Sequence, residues 1–403
     1  MTNEVWEAFA HGAARDRVAG YFESRDRRHP GQSWAVRFED PDAVVTLHRN
    51  HGAAQWEDAV ARLRRSDPSA ALIGFLGFDA VSLFDPLYGA PPETAPFPLG
   101  EFAVVRRTRV RRVSGPPRPS RSKAPLRSSP RLEPEEGSLS RREFEAGVRH
   151  LKSAIFAGEA YQVVLAHRRR FERPEDLLER AAQLRERERF EFFYYLKFAD
   201  TEVIGASPES VVEMVDGRAF INPIAGTRPT PIPRHRLALR ADPKELAEHR
   251  MLVDLARNDL GHVARPGSVR LVERERRVRY ARLEHLVSRV ACRLTEGAGA
   301  AEVLPAAFPA GTVTGAPKIR ATRLLRAEEK TWRGPYGGAV GAVFGGGRAS
   351  FALAIRSAFT HRDSLYTAAG AGVVAGSEPA REYQETLAKL AEVEATLVGR
   401  RAL

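Results

Sequence analysis

The sequence predicts an α+β fold with large antiparallel β-sheets, and three observations lead there. Short β-branched and aromatic runs outnumber the helical stretches between them, so the strands cannot each be followed by a crossover helix. One stretch, Arg141 to Gly158, is amphipathic at helical spacing behind Ser140 as an N-cap. At 403 residues and 43% hydrophobic content, the chain has ample apolar surface for a core.

Taken in order, Ser33 to Phe38 and Ala43 to His48 read as paired strands and Trp56 to Arg65 as a helix. Ala71 to Val81 reads as a buried strand turning into a helix. Together these give an N-terminal α/β portion over 1–112. From Ser114 to Gly137 the composition shifts to Pro, Ser and Arg, which predicts a linker at 113–137 and a second domain over 138–403. Strands are then expected at Tyr161 to Leu165, Val203 to Ala206, Ser210 to Val215, Val287 to Leu294, Gly338 to Phe344, Ser350 to Phe359 and Ser364 to Ala369. Helices are expected at Ala241 to Asp254, Thr314 to Glu328 and Glu378 to Leu397. No internal repeat is found.

The net charge of +12 comes almost entirely from arginine, much of it between Arg106 and Arg131. There the basic residues alternate with prolines and serines and lack aromatic stacking partners, so a solvated linker outweighs a nucleic-acid surface. A positive field still speeds encounter with an anionic metabolite. Cys292 is the only cysteine, which excludes an intramolecular disulfide, and its apolar neighbours favour a buried strand thiol. The apolar runs fall short of a membrane span and residues 1–30 lack the apolar centre of a secretory signal, so a cytoplasmic location is expected.

Two carboxylate pairs stand out. Glu382 and Glu385 share one helix face, as do Glu245 and Glu248, and a hard cation such as Mg2+ takes oxygen ligands from more than one element. His249 faces another direction from Glu248 and is not counted. Gly370 and Gly372, flanking Ala371, offer backbone amides that a carboxylate approaches closely because no Cβ intervenes. Gly226 and Thr227 in the Pro-bounded loop Asn222 to Pro229 offer an amide and a hydroxyl, although the stretch also suits a plain turn. Tyr336, set among glycines in Gly334-Pro-Tyr-Gly-Gly338, has an unobstructed phenol. Arg356 in an apolar strand calls for a fixed anion partner.

Only seven lysines occur, and three of them, Lys244, Lys318 and Lys389, stand inside these motifs. Lys318 fits a substrate contact and the first turn of a helix equally. Glu209, after a strand end and a proline, is positioned to aim a general acid into a cleft, while an isolated loop glutamate is more often exposed. His285 stands at the entrance to an apolar strand, where a lone histidine is more often structural.

In chain order these motifs resemble the chorismate-utilising enzymes, and among them the anthranilate synthase component I group. The resemblance runs from Phe144 to Leu397 with an echo at Ile73 to Ala80, and includes Pro-Ile-Ala-Gly-Thr-Arg-Pro, Leu252 to Gly261 and Glu-Tyr-Gln-Glu-Thr. It implies sheets packed together with helices outside. It also implies Glu248 and Glu385 as Mg2+ ligands, with Glu245 and Glu382 acting through water. Chorismate contacts are implied at Gly226, Thr227, Tyr336, Arg356, Gly370, Ala371, Gly372 and Lys389, and catalytic roles at His285, Glu209 and Thr312.

Water-using relatives resemble one another in carrying a lysine where this chain has Gln162, and aminodeoxychorismate synthases carry one where it has Ala225. Ammonia is therefore the implied nucleophile, with anthranilate and pyruvate as products. The alternatives are a 2-amino-2-deoxyisochorismate synthase, an aminodeoxychorismate synthase component and, from another class, a basic nucleic-acid-binding protein. No glutaminase nucleophile is found, so a separate amidotransferase subunit is the implied ammonia source. The Leu-Leu-Glu-Ser motif of the tryptophan site is not found and Glu191-Phe-Phe193 replaces Pro-Tyr-Met, so only weak tryptophan feedback is expected.

Overall fold

The computed structural model describes residues 2–13, 16–25, 33–113, 132–133, 139–187, 190–229, 243–280 and 283–399. Most of the expected linker lies outside the described residues. Two sheets of ten strands each organise the molecule. The first runs Gly315–Ala316, Gln162–Glu172, Ser364–Val373, Ser357–His361, Thr201–Ser207, Phe192–Lys197, Ala19–Ser24, Trp34–Glu39 and Arg111–Arg112, with Leu132–Glu133 also pairing on Gln162–Glu172. The second runs Ile224–Pro229, Leu283–Arg293, Arg218–Ile221, Ser210–Val215, Ala349–Leu353, Ala339–Phe344, Ala71–Leu76, Gly100–Val105 and Ala43–Leu47, with Arg270–Tyr280 on the far side of Leu283–Arg293. The described pairings are antiparallel, as the excess of strands over helices requires.

The sheets pack on each other and the helices cover their outer faces. Along Ala71–Leu76, Ala71, Ile73 and Phe75 join Phe22, Val36, Tyr194 and Phe359 in the core between the sheets. Leu72 and Leu76 instead join Trp56, Val60 and Leu63 of the helix Gly52–Arg64. A strand buried on both faces reads as a continuous apolar run, which is why Ala-Leu-Ile-Gly-Phe-Leu shows no alternation. On the outside of the first sheet, Trp6, Phe9, Leu184 and Leu397 close a third core. The helix Arg141–Phe156 begins with a capping box, Ser140 Oγ accepting from the Glu143 amide at 3.3 Å and the Glu143 carboxylate from the Ser140 amide at 2.9 Å. Such a cap is worth about 1 kcal/mol.

Three expectations are corrected. Trp34–Glu39 and Ala43–Leu47 are not paired with each other but lie in different sheets, because the turn at Asp40 to Asp42 carries the chain between sheets. The run from Ser350 to Phe359 is two strands, Ala349–Leu353 in the second sheet and Ser357–His361 in the first. Asn222 to Pro229 is not a loop, since Ile224–Pro229 pairs with Leu283–Arg293. Inter-sheet turns and hairpin turns need the same residue types, so local pattern does not separate them. Strands from both sides of the 113–137 segment enter both sheets. Among the described residues, no helix is long and apolar enough to cross a membrane.

Candidate active site

Two neighbouring crossings between the sheets hold the central side chains. Ser207-Pro-Glu209-Ser210 carries the chain from the first sheet into the second, and Ala354-Ile-Arg356 carries it back. The Leu353 amide donates to the Glu209 carbonyl at 2.9 Å and the Ala206 amide to the Arg356 carbonyl at 3.2 Å, so the crossings brace each other. The turn bearing Tyr336 is pinned to the same place: the Gly337 amide donates to the Ala354 carbonyl and the Ala354 amide to the Gly338 carbonyl, both at 2.9 Å.

Glu209 is buried, and its Oε1 accepts from the Thr312 hydroxyl at 2.7 Å. Burial pushes the carboxyl up to about 8, with the negative charge of Glu191 adding to the rise and the Thr312 hydrogen bond opposing it. Glu209 is therefore a carboxylic acid at neutral pH, with a proton to give. Sequence reasoning placed it after a strand end, and the structure adds the enclosure that makes it an acid. Arg356 departs from expectation: it sits between strands, half-buried, with φ of 49°. Left-handed backbone at a non-glycine costs about 1–2 kcal/mol, here borne at the crossing where the chain changes sheets.

Tyr336 is buried, which pushes its phenol up to about 12 and keeps it neutral, the nearby Gly370 amide opposing the rise. Gly370 and Gly372 lie two apart on Ser364–Val373 and so face the same side. A Cβ at Gly370 would stand 3.1 Å from the Tyr336 hydroxyl and 3.0 Å from the Leu165 carbonyl, and one at Gly372 would stand 2.6 Å from Gln162 Nε2. Both positions are cradles that a side chain would fill. Ala371, between them, faces the opposite side, in the apolar cluster with Phe144, Leu165 and Leu325. Lys389 donates from its ammonium to the Gly370 carbonyl at 2.8 Å and pairs with Glu385 at 2.8 Å, tying Pro379–Leu397 to the glycine strand.

His285 lies on Leu283–Arg293 in register with Thr227 on one side and Val278 on the other. Gly226 is the extra residue of a bulge, because the pairing steps from Ala225 and Leu286 to Thr227 and His285. The helix Pro243–Gly261, carrying Glu245 and Glu248, is held to this sheet by His249, whose Nε2 lies 2.7 Å from Ser288 Oγ. His249 thus points at the sheet, away from the direction of Glu248.

Glu248, Gln162, Leu255, Asp259 and Lys318 line a cleft of about 1100 Å³. A small inner cavity of about 30 Å³, reaching Glu209, Thr312 and Asn222, shares Leu255 and Asp259 with it. Lys318 pairs with Asp259 at 2.7 Å and donates to the Ala307 carbonyl at 3.0 Å, both side chains being buried. Its ammonium therefore does more than decorate a helix turn. Asp259 lies inside the motif Leu252 to Gly261, where nothing local in the sequence marks which of its acids turns inward. Among the described residues, no group of three His, Cys, Asp or Glu side chains stands within common reach of a metal ion.

A buried acid with its hydroxyl partner, a neutral phenol and a pair of bare glycines near one cleft mark this region as the candidate active site. The chain belongs to the chorismate binding enzyme family, whose model matches residues 19–395. It is 38% identical over 325 residues to anthranilate synthase component 1 of Pseudomonas aeruginosa, covering 77% of this chain and 65% of that one. To the protein of the same name from Aquifex aeolicus it is 44% identical over 259 residues, covering 62% and 52%. The chain thus spans between half and two-thirds of the length of these curated relatives. The crystal structure of anthranilate synthase component I from Streptococcus pneumoniae superposes with a TM-score of 0.78 at 27% identity, over 91% of this chain and 92% of that one.

Proposed function

We propose that this chain is a synthase subunit that converts chorismate and ammonia to anthranilate and pyruvate. The observation that carries the choice of nucleophile is the Gln162 side chain lying over Gly372, where an amide can orient a nucleophile but cannot take its proton. Ammonia needs no base once it is free. Arg356 and Tyr336 are the proposed anchors for the enolpyruvyl carboxylate, with the glycine strand behind them. As ammonia forms its bond to ring C2, the bond from C4 to its hydroxyl breaks, and Glu209 supplies the proton with which that oxygen departs as water. Loss of the C2 proton and cleavage of the enolpyruvyl ether then release pyruvate and aromatise the ring. His285 and Thr227, side by side in register, are proposed to serve the same site.

The carboxylates of Glu248 and Glu385, supported by Glu245 and Glu382, fit Mg2+ by donor chemistry: they are hard oxygens from separate helices. Magnesium commonly takes one or two carboxylates and completes its shell with water and substrate, so a cluster of three protein ligands is not required. When bound, it would hold and polarise the ring carboxylate of the substrate. The proposed ammonia source is a separate glutamine amidotransferase subunit, in the cytoplasm.

The test is product identity. Purified protein given chorismate, Mg2+ and ammonium is expected to form anthranilate and pyruvate, and to use glutamine only when an amidotransferase is added. Accumulation of 2-amino-2-deoxyisochorismate without pyruvate would instead assign the reaction that stops at amination, and 4-amino-4-deoxychorismate would overturn the ortho assignment.

A further inference from the structure

We propose that Arg333 is the positioning residue that holds Tyr336, Thr312 and Gln162 in one arrangement, and that Asp79 from the N-terminal portion completes it. The inference rests on the reading of those three residues given above. Arg333 is 4% exposed. A guanidinium that deep is tolerated only where its donors are met. Its Nε donates to Glu329 Oε2 at 2.8 Å, Nη1 to the Val313 carbonyl at 2.7 Å, and Nη2 to the Val164 carbonyl at 2.7 Å and to Glu329 Oε1 at 2.5 Å. One face of the guanidinium lies 4.4 Å from the centre of the Phe78 ring.

The identity of these acceptors is what makes a positioning role. Val313 follows Thr312, and Val164 lies two residues beyond Gln162 on the same strand, in register with Gly372. Glu329 also accepts the Ala166 amide at 2.9 Å, fixing that strand a second time. Asp79 Oδ2 accepts the amides of Arg333 at 2.9 Å and Gly334 at 3.0 Å, and so sets the start of the Tyr336 turn. One planar cation thus bridges the Thr312 turn, the Gln162 strand and the Tyr336 turn. A lysine keeps the charge but not the fork that reaches two carbonyls and a carboxylate together.

The test compares Arg333→Lys and Asp79→Asn with the native chain, by thermal melting and by steady-state kinetics well below the melting temperature. Folded variants are expected to show a raised chorismate KM together with a kcat lowered on the order of a hundredfold. In Arg333→Ala, millimolar guanidinium is expected to restore part of kcat where equal urea does not. Native kcat and KM in folded Arg333→Lys, or losses that merely follow the unfolded fraction, would overturn the proposal. Should neither Arg333 variant fold, native constants in folded Asp79→Asn would overturn it equally. If the native chain makes no anthranilate, the functional reading fails instead. Chorismate affinity measured by equilibrium dialysis then still decides the positioning claim, since unchanged affinity in Asp79→Asn defeats it.

Discussion

Burial sets the protonation state of Glu209, the residue proposed as the general acid. A carboxyl held at about 8 is protonated at neutral pH, and an acid of that strength is matched to giving a proton to a departing hydroxyl. With free ammonia held constant, kcat/KM for chorismate is expected to stay level below pH 8 and to fall as pH rises through it, as Glu209 ionises. Glu209→Gln should lower the rate by about 10²–10⁴-fold and remove the descending limb. The stability sign follows from the same shift. The folded state binds a proton between the unfolded value of 4.5 and about 8, so this residue's contribution is greatest at low pH and is lost as pH rises to 8. The glutamine variant should therefore gain stability over the native chain at alkaline pH, read as a higher melting temperature. The sequence supplied the position of Glu209 but not its enclosure, because the Thr312 hydroxyl comes from 103 residues away.

The two carboxylate pairs proposed to hold Mg2+ stand on helices of different layers, Pro243–Gly261 over the second sheet and Pro379–Leu397 over the first. Removing one anionic ligand weakens a hard-cation site while easing repulsion between carboxylates. Glu248→Gln and Glu385→Gln are accordingly expected to be inactive at ordinary Mg2+ yet fully folded, checked by Mg2+-titrated kinetics beside circular dichroism. Full activity at ordinary Mg2+ in either variant would remove that residue from the metal assignment. The helices Gly52–Arg64, Arg141–Phe156 and Pro379–Leu397 were legible because their apolar spacing is local, whereas Thr2–Ala13, Leu177–Arg187 and Ala300–Ala307 were not expected, and the helix expected from Thr314 starts only at Lys318, after the short strand Gly315–Ala316. Strand ends were less so: Gln162–Glu172 runs far beyond Leu165 into His-Arg-Arg-Arg, which reads as solvated. Its arginines are bound instead, Arg168 stacked 3.6 Å from the Trp332 ring centre and Arg169 paired with Glu394 at 3.0 Å. Partners so distant in the chain leave no periodic trace.

At the scale of the whole molecule, the paired sheets explain why the site draws on the full length of the chain. Glu209 and Arg356 lie where strands change sheets, and Asp79 reaches Arg333 across 254 residues. Fold class and most candidate residues were legible because short motifs stand in order along the sequence. The connections among them were not, since sheet crossings and buried ion pairs are set by topology. Everything then turns on which nucleophile this assembly accepts. The most direct measurement supplies chorismate and Mg2+ with nitrogen-labelled ammonium in oxygen-labelled water and follows the label into the products by mass spectrometry. The expected result is anthranilate carrying the nitrogen label, formation that ceases without ammonium, and no product with solvent oxygen at ring C2. Steady formation of oxygen-labelled isochorismate or salicylate by the native chain in ammonia-free buffer would contradict it.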